Sequence, residues 1–522
     1  MLMAILALCV ATQAQAAPKE KKIVYSLGGE AETLDPTKNN YSRSSFVLQN
    51  LFRGLYKMGA DGSTTPAIAS GYTVDAAGTT YVFTLKDAKW SDGKPLTAFD
   101  FEYSWKRVLN PETASRGAFY LYYLKNGEAY NEGKAKAEDV GVKAKDAKTL
   151  VVTLANPTPY FIDLLCVTAY YPVRKDVVEA ADPWTKSAKT YVCDGPFLLS
   201  EIKPKEKYVL KKNPNYIDAA NVKLDTLEML FIEAPETELA AYMSGSIDVA
   251  DNLSAEALKA YQGKADYHAI SRIGERYLDI NVEKAPFGDA RVRKAFSMAI
   301  NRGQLAKNVL MIPDRPAYGI VPFGIPYATK PGKDYRDVVG NDLIKEDIAA
   351  AQKLLADAGF PGGKGLPPIA LTVMNNQGER DMAQALAAMW KQNLGAEVSI
   401  VTWESKVYWD EIAKGNFMIC RDGWTGDYPD PMTMLELFTT DGNKDDTRWS
   451  NAAYDKLIAE NKVITDKQKR MDNFAKAEKI LLDEASVLPL YSFLDTFLAK
   501  PNIKGVTKNF IGHTIFEYAD VE

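Results

Sequence analysis

Three features of the sequence predict an α/β fold. Residues 369–374, 377–394 and 398–403 read in turn as an apolar strand, a helix-period segment closed by Gly395, and a second strand. That is a βαβ unit, which implies a parallel pair with a right-handed crossover. Segments of two-residue hydrophobic period alternate with segments of helical period along the chain, with no split into an all-β and an all-α part. The 522 residues, 46% hydrophobic and 25% charged, suit a soluble protein too long for one core, so two or three domains are expected.

Taken in order, residues 21–27 form a first strand, and Leu34-Asp35-Pro36 breaks the chain. Tyr41-Ser42-Arg43-Ser44-Ser45 leads into a helix that gathers Phe46, Val47, Leu51 and Leu55 on one side. Asp61-Gly62 is a hairpin signal, and residues 81–85 alternate as a strand. After the turn Ser91-Asp92-Gly93-Lys94, Thr97 caps a helix that buries Phe101, Trp105 and Val108. Strands follow at 151–154, 208–211 and 227–232, then a short helix at 237–243 and a return to the sheet at Gly245-Ser246-Ile247-Asp248. Residues 277–281 form a strand. Asp289 caps a helix with Val292, Ala295, Phe296, Ala299 and Ile300 on one stripe, which leaves Arg291, Arg293 and Arg302 for a solvated face. A helix at 345–358 ends at Gly359. After the βαβ unit come a helix at 406–413, a strand at 417–420, a long helix capped by Thr465, and a last strand at 487–494.

Several function classes are excluded or weakened. A net charge of −5 with both signs interspersed is not the basic face of a nucleic-acid binder. His268 and His513 are the only histidines, and neither stands at a recognised spacing from a nucleophile, so no catalytic residue is assigned and the chain is read as a non-enzyme. Gly362-Gly363-Lys364-Gly365 lacks the Ser or Thr and the glycine spacing of a P-loop. The acidic run Asp441-Gly442-Asn443-Lys444-Asp445-Asp446 lacks the sixth-position Gly of an EF-hand loop and carries Ala452 where its bidentate Glu belongs. No Cys/His metal set occurs, so no metal and no cofactor is expected. The apolar run 2–10 followed by Ala14-Gln15-Ala16 reads as a secretory signal cleaved after residue 16, with a lipoprotein at Cys9 as the less favoured alternative. Export permits disulfides, and Cys166 and Cys193 are the candidate pair, against the alternative of buried free thiols.

The stretch from Phe417 to Pro431 concentrates unusual chemistry. At the carboxyl end of a strand, where α/β sheets place ligands, Arg421, Asp422, Gly423, Trp424, Thr425, Gly426 and Asp427 offer a cation, anions, an aromatic plate and approachable backbone. A zwitterion with an extended backbone finds a partner there for each of its parts. The alternative is a strand-loop junction in which Arg421 pairs with Asp422 or Asp427 and Trp424 is core.

Seven stretches, in order, carry a resemblance to a known family. They are LDP at 34–36, NLFRGL at 50–55, KWSDGKPLTAFDFEYSWKR at 89–107, NPNY at 213–216, GSID at 245–248, KAPFGDARVRKAFSMAINR at 284–302 and GWTGDYPDP at 423–431. Together they resemble the periplasmic solute-binding proteins of peptide ABC transporters, especially the oligopeptide-binding proteins. The resemblance implies a periplasmic-binding-protein type II-like fold with two ligand-closing lobes and an inserted domain. Its divisions would be a signal at 1–16, domain I at 17–52, 181–275 and 496–522, domain II at 53–180, and domain III at 276–495. It also implies a monomeric periplasmic receptor that delivers a peptide ligand to ABC permease subunits of the inner membrane. By the same resemblance Asp427 holds the ligand ammonium, and Gly423 and Thr425 pair with its main chain. Trp424 walls a side-chain pocket, Arg421 lies near the carboxylate end, and Asn40, Tyr41 and Ser42 form the other edge. Tyr277 lines the cleft. Glu379 and Ile412 stand where the best-known peptide binder of the family has a histidine and a second arginine, which predicts a basic ligand end or a different ligand length. A dipeptide, a murein peptide or a nickel chelate are the alternative ligands.

Overall fold

Most of the predicted strands assemble into one ten-stranded sheet, while those at 81–85 and 151–154 join a smaller one. A computed structural model describes residues 20–59, 63–180, 183–310, 315–442, 446–509 and 511–522. The signal segment with Cys9, the Asp61-Gly62 turn and residues 443–445 of the acidic run lie outside them. The sheet strands are β1 (Lys22–Ser26), β2 (Phe197–Lys203), β3 (Lys207–Lys212), β4 (Thr226–Leu230), β5 (Val249–Ala250), β6 (Tyr267–Ile280), β7 (Ile369–Met374), β8 (Val398–Trp403), β9 (Ile419–Thr425) and β10 (Val487–Ala499). Their spatial order is β2-β3-β4-β1-β5-β10-β6-β9-β7-β8.

Two strands hold the halves of this sheet together. β6, of 14 residues, and β10, of 13, run antiparallel in its middle, from Tyr267 opposite Leu498 to Asp279 opposite Val487. Their ladder breaks between Ser271 and Glu275, where three residues of β6 face a single residue, Phe493, of β10. Such an irregularity bends and twists a strand pair. On one side β1 pairs in parallel with β4. On the other, β7 and β8 pair in parallel in full register, Ile369 with Val398 through Met374 with Trp403, as the βαβ pattern predicts. The intervening helix α1 (Gln377–Leu394) buries Met382, Leu386 and Trp390 and ends on Gly395 at φ +70°. A second sheet of four antiparallel strands, Ala69–Val74, Thr80–Leu85, Thr149–Thr153 and Val142–Asp146, is covered by the helix Ala98–Leu109. Thr97 and Asp100 close a capping box at the start of that helix, and Phe101, Trp105 and Val108 are wholly buried.

Three expectations need correction. Cys166 and Cys193 form no disulfide: both are free and buried, with Cys193 Sγ directed at the Phe197 carbonyl at 3.5 Å. Burial pushes the Cys193 thiol up to about 12, so it packs as a small apolar group. Arg293 and Arg302 are buried, and only Arg291 is solvated. Arg293 donates to the carbonyls of Phe287 and Glu484, each at 2.8 Å, and Arg302 to that of Pro489 at 2.7 Å. Off-stripe arginines here serve helix-end and strand-end carbonyls, a use that periodicity does not report. The long helix Lys467–Glu484 is capped by Asp466, which accepts the Lys469 N–H at 3.0 Å, and not by Thr465.

Candidate ligand-binding site

β9 is longer than its apolar run suggests. It continues to Thr425 because β6 supplies partners to its end, Ile280 opposite Ile419 and Gly274 opposite Thr425. On its other side β7 pairs with it only as far as Cys420. The Gly426 N–H donates to the Ile273 carbonyl at 2.8 Å and the Asn281 N–H to the Met418 carbonyl at 3.0 Å. Hydrogen-bonded and non-bonded pairs alternate along an antiparallel ladder. Cys420, Asp422 and Trp424 therefore commit their main-chain groups to β6, and Arg421, Gly423 and Thr425 turn theirs to the edge that β7 leaves open. The Tyr408 hydroxyl caps the Arg421 carbonyl, and Asp422 Oδ1 accepts the Gly423 N–H at 2.7 Å. The glycines also have a packing duty. A Cβ at Gly423 would stand 2.8 Å from the Glu275 carbonyl oxygen, and one at Gly426 would stand 2.7 Å from Ile273 Cγ2.

Asp427 follows this strand. Its N–H donates to Thr433 Oγ1 at 3.0 Å. Among the described residues no lysine or arginine pairs with its carboxylate, and burial, with Glu436 nearby, pushes its pKa up to about 6. The carboxylate borders two cavities. One, of about 280 Å³, is lined by Asn40, Tyr41 and Ser42 on one side and by Thr425, Gly426 and Asp427 on the other, with Arg272 and His513. The other, of about 350 Å³, is lined by Phe119, Tyr120, Tyr123, Tyr428 and Glu436. The turn behind Asp427 is held rigidly: Arg470 grips the Asp430 carboxylate through both terminal nitrogens, and Tyr428 stacks on Tyr160 at 4.3 Å and 3°. His513 stays neutral, since burial and Lys508 lower its pKa to about 3, and its Nδ1 meets Gln49 Nε2 at 3.0 Å.

Five of the ten residues expected at the site thus share one cavity: Asn40, Tyr41, Ser42, Thr425 and Asp427. The others lie apart from it. Arg421 does not pair with Asp422 or Asp427; its Nε meets Glu379 Oε1 at 2.5 Å, with the side chains 13% and 11% exposed. Glu379 stands in the first turn of α1, where Asn376 Oδ1 accepts its N–H at 3.1 Å, and its Oε2 finds no partner. Trp424 is 37% exposed, so it is not core. Gly423 offers backbone on the same strand edge. Tyr277 is buried edge-on against Phe438 at 5.6 Å. Ile412 is packed with Tyr408, Phe417 and Cys420 and cannot reach a ligand.

Sequence reasoning missed Glu436, Arg272, His513 and the aromatic run Phe119 to Tyr123. The aromatic run was the visible signal; the rest depend on tertiary placement alone. A larger cavity, of about 1150 Å³, lies by Leu34, Tyr103, Arg107 and Trp184 and holds none of the expected residues. Its arginine is already paired with Asp35, at 3.0 Å.

Residues 63–446 match the family model of bacterial extracellular solute-binding proteins, family 5. The oligopeptide-binding protein OppA of Bacillus subtilis is 35% identical over 501 residues, covering 94% of this chain and 91% of that protein. The unliganded open form of the periplasmic murein tripeptide-binding protein MppA, a protein of Escherichia coli, superposes with a TM-score of 0.87 at 31% identity, covering 96% of this chain and 98% of that one. The Haemophilus influenzae OppA complex with the peptide RPPGFSPFR gives a TM-score of 0.69 at 28% identity, covering 96% and 99%. The backbone thus follows an open, unliganded relative more closely than a peptide-bound one. Among the described residues no helix is long and apolar enough to cross a membrane.

Proposed function

The chain belongs to family 5 of the bacterial extracellular solute-binding proteins, the peptide-binding proteins of ABC transporters, and from that membership we propose that it is an extracytoplasmic receptor that binds extended oligopeptides and hands them to an ABC importer. The signal segment at 1–16 would direct it out of the cytoplasm, and inner-membrane permease subunits would receive the cargo from the monomer. The lobes would be the divisions expected from sequence, closing about the crossing strands β6 and β10.

One observation carries this proposal. Asp427 is a part-buried carboxylate with no cationic partner among the described residues, beside a strand edge that offers main-chain groups to a guest. An α-ammonium supplies the missing charge. At about 4 Å and an effective dielectric near 20 the pair contributes roughly 4 kcal/mol gross, before desolvation. The ligand backbone then extends along Gly423 and Thr425 as an added strand, and the 40–42 loop closes the opposite side. A cavity that reads backbone and termini ignores most side chains, which supports a broad set of peptides.

Arg421 serves the far end only after it leaves Glu379. The pair is nearly neutral as it stands, so a ligand carboxylate has to displace the glutamate. The basic-end preference expected from Glu379 alone is correspondingly reduced.

Native mass spectrometry of the freshly isolated protein tests the proposal. A distribution of co-purified peptide masses is expected, lost on mild unfolding. A single non-peptide mass, or a uniform dipeptide or murein peptide, would move the ligand to another class.

A further inference from the structure

Beside β9 three carboxylates converge from separate parts of the chain. Asp279 comes from β6, Asp422 from β9 and Asp446 from the end of the acidic run. One oxygen from each lies within 4.8 Å of the others. Asp279 is 2% exposed, and its Oδ1 has no hydrogen-bond partner. A buried carboxylate oxygen left unmatched, on a residue that faces two further carboxylates, requires a counter-charge or a proton. Two cations lie near Asp422: Arg421, which pairs with Glu379, and Arg276, which donates to the Asp422 carbonyl at 3.2 Å; both act on its carboxylate from outside the cluster.

We propose that Asp279, Asp422 and Asp446 form a site for a hard divalent cation, Ca²⁺, beside the strand that meets the ligand. Ca²⁺ takes oxygen ligands at about 2.3–2.6 Å, so oxygens on opposite sides of one ion stand about 4.6–5.2 Å apart, and all three carboxylates reach a common ion. The donor set is all carboxylate, which selects Ca²⁺ or Mg²⁺ over thiolate- and imidazole-seeking metals. The irregular spacing of the donors suits the flexible shell of Ca²⁺ better than the strict octahedron of Mg²⁺. The EF-hand test on residues 441–452 misses such a site, because two of its three ligands come from strands far away in sequence. Bound there, the ion fastens the chain at Asp446 to β6 and β9. It also neutralises Asp422, whose Oδ1 holds the Gly423 N–H at 2.7 Å. Without an ion, burial and the neighbouring acids hold Asp279 well above the usual carboxylate range.

The test uses the full-length protein stripped with EDTA and titrated with CaCl₂ by calorimetry, and with Tb³⁺ by luminescence sensitised through Tyr277, which feels the charge of all three carboxylates. Saturable Tb³⁺ emission, its displacement by Ca²⁺ and a Ca²⁺-dependent rise in Tm are expected. Asp279→Asn and, separately, the less buried Asp446→Asn should each weaken Ca²⁺ on the order of tenfold or more. Absence of Ca²⁺ heat and of Tb³⁺ emission in the wild type would overturn the site. So would an Asp279→Asn protein that is more stable in EDTA and unchanged in Ca²⁺ affinity, since the carboxylates would then share a proton and hold no ion.

Discussion

At the scale of the residue, Asp427 and Arg421 divide the work by what surrounds them. Asp427 keeps its charge without a partner, and burial raises its pKa to about 6. In the unliganded protein, ionising it therefore costs stability. The cost is absent below the unfolded value near 4 and complete above about pH 6. A bound ammonium reverses the sign, and binding below pH 6 expels a proton. Affinity for a free-amine peptide should fall by up to tenfold per pH unit as the pH drops from about 6, while an N-acetylated peptide shows no such slope; calorimetry across pH checks both. Glu379 neutralises Arg421 at 2.5 Å. Glu379→Gln should free the guanidinium and improve peptides with a C-terminal carboxylate over their amides by about 1 kcal/mol. An unchanged ratio between carboxylate and amide peptides would remove Arg421 from the ligand's path. Sequence pattern named both charged residues, since a cation and an anion beside glycines at a strand end are visible in one dimension. It could not show that Arg421 is held by a residue 42 positions away.

At the scale of the element, β9 and its neighbours explain why some positions admit one residue only. Gly423 lies so close to the Glu275 carbonyl that a methyl group forces the β6–β9 ladder apart. Gly423→Ala should destabilise by about 1–3 kcal/mol in denaturant unfolding and weaken peptide binding with it; a fully stable variant would mean that the ladder yields. The C-terminal segment is tied down by a second device. Glu517 is buried and takes Arg53 at 2.7 Å, Lys57 at 2.6 Å and the Tyr216 hydroxyl at 2.7 Å. Burial alone would raise its pKa, but Arg53 and Lys57 outweigh that and hold it at about 2. Its stabilisation is present above the ordinary 4.5 and is lost as pH falls to about 2. Glu517→Gln should cost about 3–5 kcal/mol at neutral pH, as expected when one partner of a buried pair is removed, and should flatten the acid side of the stability curve. Element positions were largely legible: α1, β7 and β8 match their predicted limits residue for residue, because periodicity, caps and glycine stops agree there. The Arg293 and Arg302 environments were not, because a helix stripe reports which apolar residues are buried and says nothing of arginines turned inward toward carbonyls.

At the scale of the whole molecule, one sheet runs through both halves and only β6 and β10 cross its middle, with the ladder broken at Ser271 to Glu275. The proposed closure of two lobes would bend these two strands. The backbone is more like an open, unliganded relative, at a TM-score of 0.87, than a peptide complex, at 0.69. Peptide should lower the radius of gyration in solution scattering of the wild type. The α/β class and the seven family stretches were legible in order along the chain. The wide spread of site residues was not, since the cavity by Asp427 gathers only the 40–42 loop, Thr425 and Asp427 from those expected. The central claim is ammonium capture by Asp427, and a calorimetric cycle at pH 7 tests it most directly: wild type and Asp427→Asn, each with one peptide carrying a free or an acetylated N-terminus. The account predicts that the substitution weakens the free-amine peptide by about 2–5 kcal/mol and leaves the acetylated one nearly unchanged; equal losses for the two peptides would contradict it.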